Sequence, residues 1–265
     1  MKYKFSVLYP VHDDVDLNKI TKSIKSIVNN SLKPNEVLIM IDGYISKEKK
    51  LLFKKISKKF KYIKIVNNKK IGLSKILNKG LNLSKNEIIF RADSDDFNFK
   101  DRFKKQINYF TKKKLDIMGC FLVEHYGSKK LIRKTPKYPR ILSSMIINPI
   151  NHMTVVYRKK SIINLNGYPN IEYKEDMALW IKSLINGLKI ENMQTALVRT
   201  DVDTTRYKKR KNFLSIISEL KLFIFILKLK PYFFIFALLS MIVRIFYLLL
   251  PNRIFKFLQI IFFRR

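Results

Sequence analysis

Residues 87–96 read EIIFRADSDD, an apolar run that ends in an arginine and then in three carboxylates, Asp93, Asp95 and Asp96. Carboxylates are scarce in this chain, which has 20 Asp and Glu against 54 Lys and Arg among its 265 residues. Neighbouring negative charges repel one another and stay ionised only beside a cation or hydrogen-bond donors. Mg²⁺ and Mn²⁺ prefer oxygen ligands of this kind and complete their shell with phosphate oxygens of a substrate. The stretch therefore predicts a metal site that binds a diphosphate.

A competing interpretation is that the acidic cluster caps a helix. The spacing of apolar residues predicts a helix over 99–113, and Ser94 or Asp96 would accept hydrogen bonds from its first backbone N–H groups. Carboxylates are also favoured at the positive end of the helix dipole. Capping accounts well for one acid and poorly for all three.

Strands and helices alternate through the first half of the chain. Apolar runs of strand length alternate with segments whose apolar residues recur at helical spacing. This order is typical of βαβ units, in which helices cover both faces of a mostly parallel sheet. Ligands on such sheets lie beyond the carboxyl ends of the strands, where this chain places polar and acidic residues. We expect strands over 4–11, 35–42, 62–66 and 86–92, and helices over 16–31, 47–60, 72 to about Gly80, and 99–113.

The pattern is looser in the second half. A helix is expected to begin at Glu175-Asp176 and to end at Gly187. Strands are expected over 115–127, 152–158 and 190–199.

The composition changes near residue 206. Residues 206–265 contain 13 Lys and Arg but one acid, Glu219. We therefore expect a catalytic domain at 1–205, with halves 1–113 and 114–205, and a basic, apolar helical tail at 206–265.

Charge and missing motifs limit the possible classes of protein. The formal charge of +34 favours polyanionic or phosphorylated partners. The chain has neither the G-x-G-x-x-G motif of dinucleotide-binding enzymes nor a P-loop. A single cysteine, Cys120, fits a reducing compartment. The first residues show no signal peptide, so we expect the catalytic part in the cytoplasm.

Several segments resemble, in order, the motifs of family 2 glycosyltransferases of the GT-A fold. The similarity is to the small enzymes of amylovoran, O-antigen and capsule assembly. Each motif alone is weak, and the agreement lies in their order along the chain. The matching segments are SVLYPVHDD (6–14), VLIMIDG (37–43), NNKKIGLSKILNKG (67–80), RADSDD (91–96), NHMTVVYRK (151–159), NGYP (166–169) and EDMALW (175–180).

The resemblance implies a donor site for a UDP-sugar and Mn²⁺ or Mg²⁺. Asp42 would contact the uracil or ribose, although an Asp-Gly pair is also a common turn. Asp93 would contact the nucleotide sugar and share the metal with Asp95, the principal ligand. Asp96 would support Asp95 or contact the donor sugar, and His12 stands where the family usually has an aromatic residue near the uracil.

The resemblance also implies the acceptor chemistry. Asp176, with Glu175 beside it, would be the general base of an inverting transfer, while helix capping is the competing explanation for this pair. His152 would either approach a substrate phosphate or serve as a structural histidine. Core packing is the expected role of Trp180.

The implied reaction moves a hexose, glucose or galactose by preference and N-acetylglucosamine as an alternative, from UDP to a sugar on undecaprenyl diphosphate. Its place is bacterial surface polysaccharide assembly. Two other interpretations remain open at this point: a sugar-phosphate nucleotidyltransferase, and a non-enzymatic basic protein that binds membranes or nucleic acid. A nucleotidyltransferase would need a glycine-rich N-terminal loop, and YPVHDD (9–14) has no glycine. The acidic clusters argue against the non-enzymatic protein, so the hexosyl transfer is favoured, with no nucleic acid as partner.

The tail predicts contact with inner-membrane lipids on the cytoplasmic face. Residues 232–250 are long enough to span a bilayer, but Arg244 lies within them. Because neighbouring segments mix apolar residues with Lys and Arg, we expect helices that lie in the membrane interface, with a single span as the alternative. Arg206, Lys208, Lys209 and Arg210 would either close over a diphosphate or form a solvated charged run.

Overall fold

The computed structural model describes residues 3–202, 212–251 and 254. The strands are β1 Phe5–Val11, β2 Glu36–Asp42, β3 Ile63–Asn68, β4 Ile88–Arg91, β5 Asp96–Asn98, β6 Ile117–Tyr126, β7 Lys129–Arg133, β8 Val156–Arg158 and β9 Ile190–Asp201. The α-helices are α1 Leu17–Val28, α2 Lys47–Lys59, α3 Leu73–Leu83, α4 Arg102–Lys112, α5 Ile141–Ile146, α6 Lys159–Asn164, α7 Glu175–Ile185, α8 Phe213–Leu229 and α9 Phe234–Leu249. Short 3₁₀ helices cover His152–Thr154 and Pro231–Phe233.

The strands form one sheet in the order β3-β2-β1-β4-β8-β6-β9-β5, with β7 paired to β6. The first four strands in this order are parallel, so their carboxyl ends meet at one edge. β8 joins this parallel part to β6 through two antiparallel pairings, and β9 continues parallel to β6. The α/β architecture expected from the sequence is confirmed.

Successive side chains of a strand point to opposite sides, and both faces of β1, β2 and β4 are buried. Val7 and Tyr9 of β1 lie in the core cluster that α1, α2 and α4 cover. Leu8, between them, lies in the cluster that α3 and α7 cover.

The helix from residue 72 was predicted to end near Gly80, and that prediction is wrong. α3 continues to Leu83, and Gly80 is buried within it. A Cβ atom at Gly80 would lie 3.1 Å from Leu8 Cδ2 and 3.3 Å from Met40 Cγ. Glycine is therefore used here for close packing of helix on sheet, and it does not terminate the helix.

One predicted strand, and the competing interpretation of the acidic cluster as a helix cap, also need correction. Residues 152–158 were expected to form one strand, but His152–Thr154 is a 3₁₀ helix and only Val156–Arg158 is a strand. The acidic cluster does not cap α4, because that helix begins at Arg102 with Asp101 at its N-cap position. Asp96 instead begins the short strand β5, which pairs with β9.

The described part of the tail packs on the α/β part of the chain. Leu222 and Ile226 of α8 and Ala237 of α9 share an apolar cluster with Met145 of α5 and Met177 of α7. By length and composition, Pro231–Leu249 is the one helical stretch among the described residues that could cross a membrane. The predicted basic loop of Arg206, Lys208, Lys209 and Arg210 lies outside the described residues.

Asn78 of α3 fixes the loop that carries the NGYP motif. Its side chain accepts a hydrogen bond from Tyr168 N at 2.7 Å and donates to Tyr168 O at 2.9 Å. Gly167, next to Tyr168, has φ +69°, and a Cβ there would lie 2.2 Å from Asn78 Oδ1. The two motifs are thus held together by one amide side chain and one glycine.

We predict that Gly167→Ala destabilises the protein more than Gly187→Ala does. Gly187 has a similar φ of +71°, but no atom lies within 4 Å of the position that a Cβ would occupy there, so it is a matched control. Both variants lose about 1–2 kcal/mol to left-handed backbone strain. Gly167→Ala loses about 1–3 kcal/mol more because the methyl group collides with Asn78. Denaturant unfolding measures both losses, and equal losses would contradict the Asn78 contact.

Candidate active site

Asp42 closes the carboxyl end of β2 and fixes the entry to α3. Its carboxylate accepts hydrogen bonds from Ile71 N at 2.7 Å and from Gly72 N at 3.1 Å. Gly72 has φ +88°, a backbone conformation that glycine adopts without strain. Asp42 therefore has a structural role in this loop, and its half-buried carboxylate lies at the sheet edge where a ligand is expected.

The end of β1 places His12 at the surface. The ring is exposed. The next residue, Asp13, accepts from Ser46 N at 2.8 Å and from Lys49 Nζ at 2.9 Å. Lys49 and the Ser46 amide hold the pKa of Asp13 below its usual value. The backbone that carries His12 is thus tied to the start of α2.

Arg91 and Asp93 form the best-defined contact of the acidic segment. Arg91 Nε and Nη2 donate to the two carboxylate oxygens of Asp93 at 2.7 and 3.2 Å. The Arg91 side chain is 4% exposed and that of Asp93 is 21% exposed. The backbone carbonyl of Asp93 accepts from Ser23 Oγ at 2.8 Å and from Asp96 N at 3.2 Å, so the segment turns sharply after β4.

The other two acids differ in exposure. Asp95 is half-buried, whereas Asp96 is 3% exposed. Burial raises the pKa of Asp96 to about 8, the negative charge of Asp93 adds to the rise, and the Thr200 hydroxyl opposes it. Asp96 thus lies behind the surface that Asp93 and Asp95 present.

These residues fit a hard divalent cation. Oxygen is the ligand that Mg²⁺ and Mn²⁺ prefer, and the half-buried Asp95 is the better placed of the two acids, because both carboxylate oxygens of Asp93 accept hydrogen bonds from Arg91. The buried Asp96 carboxylate has no well-formed hydrogen bond, and its charge is disfavoured where it lies. A nearby cation would offset that unfavourable charge.

His152 lies on the other side of Arg91. Arg91 Nη1 contacts both ring nitrogens of His152, and the ring Nε2 lies 3.2 Å from the Tyr168 hydroxyl. Trp180 packs edge-on against the ring at 5.7 Å and is completely buried, in agreement with a core role. Burial, aided by the charge of Arg91, holds the pKa of His152 well below its ordinary value of 6.5. The imidazole is therefore neutral at physiological pH.

Asp176 begins the next part of the site, at the start of α7. Its Oδ2 accepts from Asn148 Nδ2 at 2.6 Å, and its Oδ1 accepts from Met177 N at 2.7 Å. His152 Nδ1 lies 3.7 Å from Asp176 Oδ2. The neighbouring Glu175 is 8% exposed, so Asp176 is the more accessible carboxylate of the pair.

His152, Glu175 and Asp176 could in principle form a second metal site. One ligand atom from each of them lies within 4.8 Å of the others. However, the guanidinium of Arg91 contacts both nitrogens of the ring, and a fixed positive charge at this position disfavours a cation. We therefore interpret His152 as a structural histidine that contacts Asp176 and Arg91.

The structure thus connects the two predicted acidic segments through Arg91, which the sequence analysis did not select, and through His152, for which it left a substrate-contacting and a structural role open. The line of contacts runs from Asp93 to Arg91, then to His152 and Asp176. Arg91 had one signal in the sequence: it lies at the end of a predicted buried strand, where an arginine is found only with partners. Asn148 had no such signal.

A family model described as Glycosyl transferase family 2 matches residues 6–171, which is more than half of the chain. The chain belongs to glycosyl transferase family 2. It is 33% identical over 257 residues to the Escherichia coli enzyme named UDP-Gal:alpha-D-GlcNAc-diphosphoundecaprenol beta-1,3-galactosyltransferase, covering 94% of this chain and 92% of that protein. It is 28% identical to the amylovoran biosynthesis glycosyltransferase AmsE of Erwinia amylovora, covering 96% and 97% of the two chains.

Solved structures agree on the fold of this glycosyltransferase. The crystal structure of S. aureus TarS 1–349 superposes with a TM-score of 0.64 at 18% identity, covering 84% of this chain and 65% of that chain. The same protein in complex with UDP-GlcNAc also superposes with a TM-score of 0.64. The GT-A fold and the membership in family 2 that the motifs predicted are both confirmed.

We predict that Arg91→Met raises the pKa of His152, because the substitution removes one of the two causes that lower it. The expected rise is about 1 pH unit, measured from the ring nitrogen shifts of His152 by NMR. Arg91→Lys keeps the positive charge and should leave the pKa low.

His125 serves as an internal control for this titration. Burial and Arg199 lower the pKa of His125, and neither cause involves Arg91. A His152 pKa that is equal in the wild type and in Arg91→Met would contradict the close contact between the two side chains.

Proposed function

We propose that this family 2 glycosyltransferase is an inverting, metal-dependent hexosyltransferase. Its donor is a UDP-sugar, with galactose or glucose favoured and N-acetylglucosamine possible, and its acceptor is a sugar on undecaprenyl diphosphate. The observation that carries the proposal is the line of contacts from the acidic segment after β4 to Asp176. This line supports a division of roles in which the acidic segment binds the diphosphate through a metal and Asp176 takes the acceptor proton. The name of the E. coli relative supports this donor and acceptor class and puts galactose first.

On the donor side, Asp95 and Asp93 would hold Mn²⁺ or Mg²⁺, which when bound offsets the negative charge of the departing diphosphate. Arg91 holds Asp93 in place through two hydrogen bonds. Asp42 and His12, at the ends of β2 and β1, would contact the uridine. Asp96, which is buried beneath Asp93 and Asp95, would support the metal-binding segment.

On the acceptor side, Asp176 acts as the general base, with the buried Glu175 as its neighbour. The acceptor oxygen forms a bond to C1 of the donor sugar as the bond from C1 to the diphosphate oxygen breaks. The hydroxyl proton passes to the Asp176 carboxylate, and UDP leaves with the bonding electrons. One displacement inverts the anomeric centre, so an α-linked donor gives a β-linked product.

The tail supplies a surface suited to lipid. Helices α8 and α9 leave many large apolar side chains exposed, among them Ile235 at 72% and Phe246 at 66%. Lys and Arg in the tail suit anionic lipids. Arg244 is buried against the protein, which favours a helix lying in the interface over one that spans the bilayer. We therefore place the enzyme on the cytoplasmic face of the bacterial inner membrane, where a lipid-linked acceptor is presented.

A transfer assay with the detergent-purified protein tests the reaction. We expect UDP release from UDP-galactose or UDP-glucose only with a GlcNAc-diphosphate-lipid analogue and Mn²⁺, and loss of release with EDTA. Asp176→Asn should lower kcat by roughly 10²–10⁴-fold because the general base is lost. Asp95→Asn should raise the Mn²⁺ concentration that gives half the maximal rate.

Matched controls distinguish these effects from a general loss of negative charge. Glu172→Gln removes an exposed carboxylate near α7, and Asp101→Asn removes a half-buried one after the acidic segment. Both should retain transfer close to the wild-type rate. Acceptor-dependent release that persists in Asp176→Asn would rule out the assigned base, and release that persists in EDTA would rule out the metal.

Vesicle binding tests the membrane surface. The double variant Ile235→Ser with Phe246→Ser should bind anionic vesicles at least about tenfold more weakly, since each side chain loses the free energy of transfer into an apolar environment. Leu51→Ser on α2, at a site equally exposed at 66%, should bind as the wild type does. Retention in the membrane after alkaline carbonate extraction would indicate a spanning helix and contradict the interfacial placement.

A further inference from the structure

A buried cluster of three charges joins the tail to the catalytic part of the chain. Glu219 of α8 is completely buried and lies 2.5 Å from Lys174 Nζ and 2.6 Å from Arg244 Nε. The Arg244 side chain is 8% exposed and that of Lys174 is 19% exposed. Charges removed from water in this way need close partners, so each of the three depends on the others.

The same cluster reaches α5. Arg244 Nη1 donates a hydrogen bond to the backbone carbonyl of Met145, near the end of that helix. The surrounding apolar cluster contains residues of α5, α7, α8 and α9, so the polar and apolar contacts hold the same four helices. The α8–α9 hairpin is therefore attached to α5 at one point and to the start of α7 at another.

These two points of attachment are the segments that position Asp176. Lys174 is the N-cap residue of α7 and lies two positions before Asp176. Met145 lies three positions before Asn148, whose side chain donates to Asp176 Oδ2 at 2.6 Å. The carboxylate and its hydrogen-bond donor thus both sit at the ends of segments that the hairpin holds.

We propose that the C-terminal hairpin is a positioning element for the acceptor side of the active site. The cluster of Lys174, Glu219 and Arg244 fixes the start of α7 and the end of α5, and thereby the geometry of Asp176 and Asn148. The proposal rests on the proposed role of Asp176 as general base. It assigns the tail a function in turnover that is separate from attachment to lipid.

A tail that served only as a membrane anchor would behave differently. Breaking its attachment would then affect access to lipid-linked substrates but not the reaction of a water-soluble one. A positioning element affects the reaction itself, because a small displacement of a catalytic group lowers the rate even when substrates still bind.

The test uses the full chain, Mn²⁺, a UDP-sugar and a water-soluble, short-chain GlcNAc-diphosphate acceptor, without membranes. Glu219→Gln should lower kcat by roughly tenfold to a hundredfold while the KM for the UDP-sugar stays within about twofold. Lys221→Gln, which changes an exposed residue on the same helix, should leave both parameters unchanged. Unchanged kcat in a folded Glu219→Gln protein would overturn the proposal.

Two further measurements separate positioning from a general loss of stability. In an Asn148→Ala background, Glu219→Gln should cost much less than it does alone, because both substitutions act on the same carboxylate. Fully independent effects would overturn the proposal. If Glu219→Gln does not fold, Arg244→Lys is the alternative variant, because it keeps the charge but disturbs the contact with Met145. It should lower kcat and leave the KM for the UDP-sugar unchanged. A wild-type kcat in that variant would also overturn the proposal.

The same assay distinguishes a failure of the reaction from a failure of the hairpin's role. No transfer by the wild-type protein would overturn the proposed function, and this proposal with it. Transfer by the wild type that is equally fast in Glu219→Gln and Arg244→Lys would overturn the positioning role alone.

Discussion

The contact of Arg91 with Asp93 and His152 is the interaction on which the site depends. A guanidinium that is 4% exposed has lost its hydration and must be paired inside the protein. On one side it makes two hydrogen bonds to Asp93, and on the other it meets the ring of His152. The fold supplies this environment at the carboxyl end of β4, where the parallel part of the sheet meets β8. A single arginine thus contacts both the acidic segment after β4 and the histidine that lies next to Asp176.

The parallel half of the fold could be predicted from the sequence because its signals are local. β1 to β4 are separated by helices with regular spacing, and β1, β2 and β4 are apolar runs that bury both faces, whereas the edge strand β3 is partly exposed. Gly80 shows the limit of this reasoning, since a glycine that permits close packing looks the same in the sequence as one that ends a helix. β5 was missed because a three-residue strand carries no periodicity.

The carboxylates of the site could be predicted because their residue type is unusual in this chain. Contacts between residues that are far apart in the sequence could not be predicted. Asp93, Asp95 and Asp176 stood out as carboxylates in a chain that is short of them. Arg91 and His152 are 61 residues apart, and Asn148 and Asp176 are 28 apart, so neither contact has a pattern that can be read locally. The motifs of the family identified the acids in the sequence. The structure shows which residues contact them, namely Arg91, His152 and Asn148.

The attachment of Arg244 also bears on the order in which the chain is made. The catalytic part is synthesised first and can fold as a unit before the tail emerges. Glu219 lies 25 residues ahead of Arg244, so the partner of the arginine leaves the ribosome before the arginine does. An apolar helix that entered the bilayer at that stage would carry an unpaired guanidinium, which is costly. In the structure the hairpin packs on the earlier part of the chain, and the guanidinium has its partner there, with Arg244 Nε 2.6 Å from Glu219 Oε2.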